Sequence, residues 1–218
     1  NLTRIESDKL LPKSLNNIIS GLSGILIPGG FGKRGTEGKI EAIKYARTNN
    51  VPFFGICFGM QMAIIEVARN LLKINNASSS EFGNSCTPVV GLLNEWKKGK
   101  KMIKGSEKNL GGTMRLGLYD AVISKNTNIY KIYKTNKIKE RHRHRYEVNI
   151  NYKEAFEKKG LIFSALSPDG LLPEIVELKN HPWFIGVQFH PEFRSRPFNP
   201  HPLFSSFIQA AKNYSEHK

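Results

Sequence analysis

Apolar and polar positions recur at two different spacings along the first third of the chain. Two short apolar runs are typical of buried strands, and they cover residues 24–28 and 51–56. Two longer segments have the apolar spacing of helices, and they cover residues 37–48 and 60–72. Strands that alternate with helices in this way predict an α/β fold, because a helical crossover lets the next strand run parallel to the first.

The rest of the chain continues the mixture, although residues 88–94 are predicted to begin a more irregular middle. Further strands are predicted in three places: residues 113–124, around residues 141–151, and residues 183–189. Further helices are predicted over two segments: residues 152–159 and 202–212. We therefore expect one domain over residues 1–218, with a mostly parallel central sheet flanked by helices. Catalytic residues are expected where the parallel strands end.

Composition indicates a globular domain. With 218 residues and 39% hydrophobic content, the chain can bury a core of its own. No apolar run is long enough to cross a bilayer, and no leader combines a basic start with a small-residue cleavage site. The sequence therefore favours a soluble, cytoplasmic protein with no membrane partner.

The excess of basic residues brings nucleic-acid binding into consideration. The chain has 33 Lys and Arg residues against 18 Asp and Glu residues, which gives a net charge of +15. Its one dense lysine cluster, residues 97–101, has no interleaved aromatic side chains on which bases could stack. A solvated loop is the favoured interpretation, so no nucleic-acid partner is expected.

A candidate nucleophile lies in G-I-C-F-G at residues 55–59, between a predicted strand and a predicted helix. A turn of this kind presents a nucleophile at the start of a helix, and flanking glycines relieve crowding there. Helix amides stabilise negative charge, so we expect a lowered pKa for the Cys57 thiol. A buried structural cysteine is the alternative. The second cysteine, Cys86, is interpreted as a packing residue.

A candidate base lies near the far end of the chain, where an apolar strand ends in His190, Pro191 and Glu192. A thiol that attacks an amide needs a base to take its proton and to deliver it to the leaving ammonia, and imidazole suits both steps. Glu192, two positions further along an extended segment, is expected to orient the His190 ring. A strand-end His in a hydrogen-bonded turn is the alternative for His190 alone.

Together the elbow and the late F-H-P-E sequence resemble the class I (triad) glutamine amidotransferases. Four further segments resemble, more narrowly, the glutaminase domain of the CTP synthases: P-G-G-F-G at 28–32, L-G-G-T-M-R-L-G at 110–117, E-R-H-R-H-R-Y-E-V-N at 140–149 and N-H-P-W-F at 180–184. The resemblance extends over nearly the whole chain. It implies flavodoxin-like layering, L-glutamine as substrate, and a Cys-His-Glu triad that forms a glutamyl thioester and releases ammonia.

The resemblance also implies roles for other residues. It implies an oxyanion hole made by the backbone amides of Gly30 and Phe58. The implied glutamine-binding residues are Gly30, Phe58, Gly59, Met60, Gln61, Glu81 and Arg145. The candidates for an effector lid are Phe31, Lys33 and Arg34. Judged by position alone, a cap or a surface charge is the favoured interpretation of Glu81, and Gln61 could be solvated.

Ammonia produced here needs an acceptor, which the resemblance places in an N-terminal synthase (amidoligase) domain. The chain contains no G-x-x-x-x-G-K-[S/T] motif, so we expect that domain to be absent from it. For the full-length enzyme the resemblance implies ATP, Mg²⁺, UTP, the effector GTP and a homo-oligomer, a tetramer. No cofactor is expected in this domain.

Two further motifs could indicate a dinucleotide site and a metal or phosphate site. Residues 30–35 fit G-x-G-x-x-G, but the next predicted strand ends in Cys57 instead of the acidic residue that binds ribose in a dinucleotide fold. The R-H-R-H-R run at residues 141–145 invites a metal or phosphate interpretation, and its alternate arginines would repel a divalent metal, so no metal site is expected. Three functions stay open: the glutaminase of a CTP synthase, another glutamine-using or γ-glutamyl hydrolase, and a basic binding domain.

Overall fold

The computed structural model of the chain describes residues 1–10, 12–83, 85–92 and 114–217. The lysine cluster at 97–101 and the first half of the motif at 110–117 lie outside the described residues. The strands are β1 Ile25–Ile27, β2 Phe53–Ile56, β3 Ala77–Ser79, β4 Thr87–Leu92, β5 Arg115–Ile123, β6 Lys137–His144, β7 Tyr146–Val148, β8 Leu161–Leu166, β9 Pro173–Leu178 and β10 Phe184–Val187. The α-helices are α1 Leu15–Ile19, α2 Thr36–Thr48, α3 Phe58–Asn70, α4 Asn128–Tyr133, α5 Lys153–Lys158 and α6 Pro202–Glu216.

Seven strands form one mixed sheet in the order β1-β2-β10-β9-β8-β5-β6. β1, β2 and β10 run parallel to one another, whereas each following neighbour pairs antiparallel. Parallel pairing requires a long crossover, and α2 supplies it between β1 and β2. The α/β class is confirmed, and the parallel strands are gathered in the part of the sheet where Cys57 and His190 follow strand ends.

Helices cover both faces of this sheet. Phe53 and Phe54 are adjacent in β2 and point to opposite faces, because side chains alternate along a strand. Phe53 joins the apolar cluster that contains residues of α2 and α3. Phe54 joins the cluster that contains Trp183 and, from α6, Phe207, with 5.4 Å between its ring centroid and that of Trp183. The resulting helix–sheet–helix layering holds β2 in the middle of the core.

A second, three-stranded sheet has the order β3-β4-β7. The prediction of an irregular segment at residues 88–94 is wrong over Thr87–Leu92, which forms β4. Val89 and Val90 are fully buried, and Val90 pairs opposite Val148 of β7. Burial of these two side chains stabilises the strand despite Pro88 at its start.

The predicted boundaries differ from the observed ones in ways that bear on the site. α3 begins at Phe58, two residues earlier than expected, because Cys57 itself is the N-cap residue. The segment predicted as strand around 141–151 divides at Arg145 into β6 of the large sheet and β7 of the small one. α6 continues to Glu216.

Candidate active site

Cys57 occupies the sharp turn between β2 and α3. Its backbone has φ +51° and ψ −100°, a combination that residues with a side chain rarely adopt. Two glycines allow the strand and the helix to approach here: a Cβ on Gly55 would lie 2.7 Å from the carbonyl carbon of Gly59. A Cβ on Gly59 would lie 2.2 Å from the carbonyl oxygen of Ile27 in β1. The turn therefore has the geometry that the motif predicts, and close packing explains both glycines.

The thiol of Cys57 is buried, with 4% of the residue exposed. Burial raises the pKa of this thiol to about 12, because the thiolate would lose its solvation. The Phe58 backbone N–H and the Gln188 side chain act in the opposite direction, while the carboxylates of Glu147 and Glu192 raise the pKa further. The expected net lowering by helix amides is wrong, since burial outweighs them. The thiol is protonated at pH 7 and needs a base.

His190 follows β10 at the same end of the sheet and is buried. Its Nδ1 lies 2.6 Å from Glu192 Oε1. The segment between them is not extended as predicted, because Pro191–Phe193 forms a 3₁₀ turn that brings the carboxylate back to the ring. The ring also stacks on Phe193, with 4.9 Å between centroids and 15° between planes. The Glu192 carboxylate can only accept this hydrogen bond, so His190 Nδ1 carries the proton and donates it. Nε2 of the ring is then left as an acceptor.

Cys57 and His190 border the same space above Gly29. A Cβ placed on Gly29 would lie 2.7 Å from His190 Cε1 and 3.7 Å from Cys57 Cβ, so glycine leaves the room that both side chains need. Nε2 of His190 is buried and has no hydrogen-bond partner among the described residues. A bare ring nitrogen in this position can accept the thiol proton.

One of the two candidate oxyanion donors, Phe58, acts on the sulfur directly, and the other, Gly30, lies in the loop that contacts the Phe58 ring. The backbone N–H of Phe58 is directed at Cys57, as its effect on the pKa of the thiol indicates. Gly30 follows Gly29 in the loop after β1, and a Cβ on Gly30 would lie 3.7 Å from Phe58 Cδ1. Two backbone amides at a helix N-terminus and a facing loop form the usual arrangement for stabilising an oxyanion.

Gln61 is buried, so the alternative of a solvated side chain is wrong. Its Nε2 donates to the Tyr146 carbonyl oxygen at 2.9 Å and to Gln188 Oε1 at 3.3 Å. Both N–H bonds are thereby used, and Oε1 is the atom left to accept a hydrogen bond from a ligand. Neighbouring Gly59 and Met60 pack against the sheet, which leaves only their backbone amides for such a contact.

The two candidate charged partners of glutamine differ in their present contacts. Glu81 accepts a hydrogen bond from the Gly32 backbone N–H at 2.6 Å, and burial raises the pKa of its carboxyl group. Arg145 lies in the break between β6 and β7, half-buried, and forms no hydrogen bond or ion pair within the described ranges. A carboxylate and a guanidinium of this kind suit the ammonium and carboxylate of an amino acid.

The candidate lid is the loop between β1 and α2. Phe31 is 89% exposed, and Lys33 is also exposed. Arg34 Nε donates to Asp8 Oδ2 at 2.8 Å in a solvent-exposed pair. The bond between Gly32 and Glu81 ties this loop to the predicted glutamine site.

Sequence reasoning missed a buried charged cluster on β5, β6, β7 and β9. Arg115 donates to Glu147 Oε1 at 3.2 Å and to Glu174 Oε1 at 2.7 Å. Nε2 of His142 lies 3.3 Å from Glu174 Oε2, and Nδ1 of the same ring lies 2.9 Å from His144 Nε2. Burial lowers the pKa of His142, and lowers that of His144 to about 3, so both rings are neutral at pH 7.

Alternation along β6 explains the R-H-R-H-R run. His142 and His144 point into the molecule, whereas Arg141 and Arg143 point to solvent. Within residues 1–10, 12–83, 85–92 and 114–217, no group of three or more His, Cys, Asp or Glu side chains could hold a metal ion. Over these same ranges, no helix is long and apolar enough to span a membrane.

Gln188 is the second residue that sequence reasoning missed. It is fully buried, and its Nε2 lies 3.7 Å from Cys57 Sγ. Cys86, interpreted as a packing residue, is only half-buried and donates to the Gly83 carbonyl oxygen at 3.4 Å. A signal for Gln188 was available, because it lies two residues before His190 in the strand-end motif.

Comparison with known proteins gives concordant results. The profile of the family described as glutamine amidotransferase class-I matches residues 4–210. A CTP synthase from Pelagibacter ubique is 68% identical over 214 residues, which are 98% of this chain and 40% of that protein. A CTP synthase from Agrobacterium fabrum is 58% identical over 212 residues, 97% of this chain and 39% of that protein. The chain thus spans about 40% of the length of these relatives.

Among solved structures, the glutaminase domain of Trypanosoma brucei CTPS with bound acivicin superposes with a TM-score of 0.86. The sequence identity is 38%, and the superposition covers 98% of this chain and 81% of that one.

Proposed function

The chain belongs to the class-I glutamine amidotransferase family, within its CTP synthase branch, and on this premise we propose that it hydrolyses L-glutamine to glutamate and ammonia. The observation that carries the proposal is the cleft above Gly29. There the buried thiol of Cys57 and the unpartnered Nε2 of His190 border one space. Glu192 completes a Cys-His-Glu triad by holding the other ring nitrogen at 2.6 Å.

In the first half-reaction, Cys57 Sγ attacks the side-chain amide carbon of glutamine while His190 Nε2 takes the thiol proton. The backbone amides of Gly30 and Phe58 stabilise the oxyanion that forms on the amide oxygen. The imidazolium then gives its proton to the amide nitrogen, and the carbon–nitrogen bond breaks. Ammonia leaves, and a glutamyl thioester remains on Cys57.

In the second half-reaction, water attacks the thioester carbon and gives a proton to His190 Nε2. Collapse of the second oxyanion breaks the carbon–sulfur bond, and the departing thiolate takes the proton back from His190. Glutamate is released and the neutral thiol is restored. Glu192 keeps the ring in one tautomer throughout, so the same nitrogen serves as acid and as base.

Glutamine is recognised at its two charged ends. Glu81 receives the α-ammonium group, and Arg145 receives the α-carboxylate. Gln61 contributes Oε1 as an acceptor, since its two N–H bonds are used within the protein. The backbone amides of Gly59 and Met60 complete the wall of the pocket.

We also propose that the ammonia is used by the part of the protein that this chain does not include. The curated relatives are CTP synthases of which the chain spans about 40%. In this proposal a synthase domain, with ATP and Mg²⁺, aminates UTP to CTP in the cytoplasm. The effector GTP acts through the lid residues Phe31, Lys33 and Arg34, and the full-length protein is a homo-oligomer, a tetramer.

The first prediction separates the nucleophile from the other thiol of the chain. Cys57→Ala is expected to abolish ammonia release from L-glutamine, because it removes the thiol that borders the cleft with His190, whereas Cys86→Ala should retain it. Ammonia and glutamate are measured together. Acivicin, the ligand in the Trypanosoma brucei structure, should modify Cys57 and leave Cys86 unmodified in peptide mass mapping.

Equal ammonia release by Cys57→Ala and the unaltered chain would reject the triad. A preference for γ-glutamyl peptides over glutamine would favour a different hydrolase with the same site. Glutamine-dependent formation of CTP after the chain is joined to a CTP synthase amino-terminal part would support the proposed acceptor.

A further inference from the structure

A hydrogen-bonded row of side-chain amides runs through the core to the reacting sulfur. Gln61 on α3 and Gln188, which follows β10, are both buried. Gln61 Nε2 lies 3.3 Å from Gln188 Oε1, and Gln188 Nε2 lies 3.7 Å from Cys57 Sγ. The sulfur distance is within the range of a weak hydrogen bond from an amide to a large, polarisable atom.

The direction of each amide follows from one group that can only accept. The Tyr146 backbone carbonyl oxygen cannot donate, so the group of Gln61 that faces it at 2.9 Å must be the NH₂. The same NH₂ reaches Gln188, which must therefore present its oxygen to Gln61. The NH₂ of Gln188 is then left to face Cys57. His144 Nδ1 also donates to the Tyr146 carbonyl at 3.1 Å, which holds that acceptor in place.

We propose that Gln188 is a further catalytic residue of this site, whose side-chain amide donates to the Cys57 sulfur, and that Gln61 is the positioning residue that sets the direction of that amide. The inference rests on the proposed nucleophilic role of Cys57, but not on glutamine as the substrate. An N–H···S bond strengthens when the sulfur becomes negative, so the Gln188 amide stabilises the Cys57 thiolate, which is the species that attacks. It also acts on the thiolate released at the end of the second half-reaction.

The test measures the thiol directly. In a Cys86→Ala background, Cys57 is the only cysteine that iodoacetamide can alkylate, and its alkylation rate is followed from pH 6 to pH 10. Gln188→Met keeps the length of the side chain and removes the donor. The expected result is an alkylation profile displaced to higher pH, with a rate about tenfold lower at a given pH.

The control variant is Gln209→Met. Gln209 is exposed on α6 and, among the described residues, donates to the Asn213 side chain alone, at 2.8 Å, so its replacement should leave the profile unchanged. Within the described residues, His190 borders the same space as Cys57, and the charges of Glu147 and Glu192 raise the pKa of its thiol; all three groups are the same in every variant. A displaced profile therefore reports the lost amide.

Gln61→Met provides the second measurement, because it leaves Gln188 in place and removes the group that orients it. A smaller displacement in the same direction is expected. Circular dichroism establishes that each variant is folded. The proposal would be overturned if the folded Gln188→Met variant had the same alkylation profile as the Cys86→Ala background. If Gln188→Met does not fold, an unchanged profile in Gln61→Met would overturn it.

The two proposals fail separately. A displaced alkylation profile in a chain that releases no ammonia from glutamine would retain Gln188 as a donor to the sulfur and reject the glutaminase function. An unchanged profile in a chain that hydrolyses glutamine would reject Gln188 as a donor to the sulfur and retain the glutaminase function.

Discussion

At Cys57, burial and hydrogen bonding act on one sulfur in opposite directions. Burial raises the pKa of the thiol to about 12, and donors from Phe58 and Gln188 only partly offset it. A neutral thiol in the resting chain resists alkylation and oxidation, because the thiolate is the reactive species. Under the proposed mechanism, reactivity therefore depends on His190, because its Nε2 borders the same cleft and has no hydrogen-bond partner in the described part of the chain.

The second prediction concerns Gly29, which the sequence motif explains only as part of a turn. Gly29→Ala places a methyl group 2.7 Å from His190 Cε1, so the imidazole must shift. A displacement of about 1 Å costs about 100-fold in rate. We expect kcat for ammonia release to fall by about that factor while the free energy of unfolding changes little.

A matched glycine provides the control for this prediction. Gly21 has no heavy atom within 4 Å of the position of a Cβ, so Gly21→Ala should leave the rate unchanged. Equal kcat values for Gly29→Ala and Gly21→Ala would mean that the cleft tolerates a different position of the ring.

The junction of strand and helix is the element on which the site depends. α3 lies so close to β1 that a Cβ on Gly59 would be 2.2 Å from the Ile27 carbonyl oxygen. Replacement of glycine by alanine in a helix normally stabilises by about 1 kcal/mol. Here the contact is with backbone that cannot rotate away, so the third prediction is a net loss of about 2 kcal/mol for Gly59→Ala, since overpacking typically costs 1–3 kcal/mol.

Urea denaturation of the two chains measures this difference. A variant as stable as the unaltered chain, or more stable, would show that α3 can move away from β1. Such movement would also displace the amide of Phe58.

The elements around the elbow could be predicted because their signals are local. α2 and α3 carry apolar residues at helical spacing, and the turn motif lies between them. β8 and β9 were not assigned from the sequence. β9 contains Glu174 and Glu177, which are buried and break any apolar pattern. Glu177 accepts hydrogen bonds from the Asn128 and Ile129 backbone N–H groups at 2.9 and 3.0 Å. Because these partners are far away in the chain, the local sequence does not indicate them.

In the candidate site too, some residues could be predicted from local motifs and others could not. Cys57, His190 and Glu192 belong to two short motifs that predict the proposed chemistry by residue type and spacing. The direction in which Gln188 points depends on Gln61 and on a carbonyl group of another strand. Relations of that kind arise from tertiary packing, so sequence patterns alone do not predict them.

The whole molecule carries buried histidines that link its stability to pH. Burial lowers the pKa of His142, His144 and His181. The unfolded chain takes up protons at these rings below about pH 6.5, whereas the folded chain takes them up only at a lower pH. Stability is thus fully present above that pH and falls as the pH decreases. Glu174 and Glu81 act in the opposite direction, because burial raises the pKa of both carboxyl groups and each stays protonated in the fold at a pH where it is ionised in the unfolded chain.

The fourth prediction is a fall in the free energy of unfolding between about pH 6.5 and 4.5, by up to about 1.4 kcal/mol per pH unit for each uncompensated histidine. Urea denaturation across this range measures the slope. His144→Asn should reduce the slope, and His217→Asn, at an exposed position near the C-terminus, should not. A slope that is the same in all three chains would assign the dependence to other groups.

Pairing of β10 with β2 completes the cleft, with Val187 opposite Ile56. Translation proceeds from the amino terminus, so a growing polypeptide carries the Cys57 thiol for more than a hundred codons before the His190 imidazole has been synthesised. Throughout that interval the sulfur has neither the His190 ring nor the amide of Gln188 beside it. A ribosome-bound chain therefore lacks the thiol–imidazole pair until β10, the last of the three parallel strands, has docked on β2.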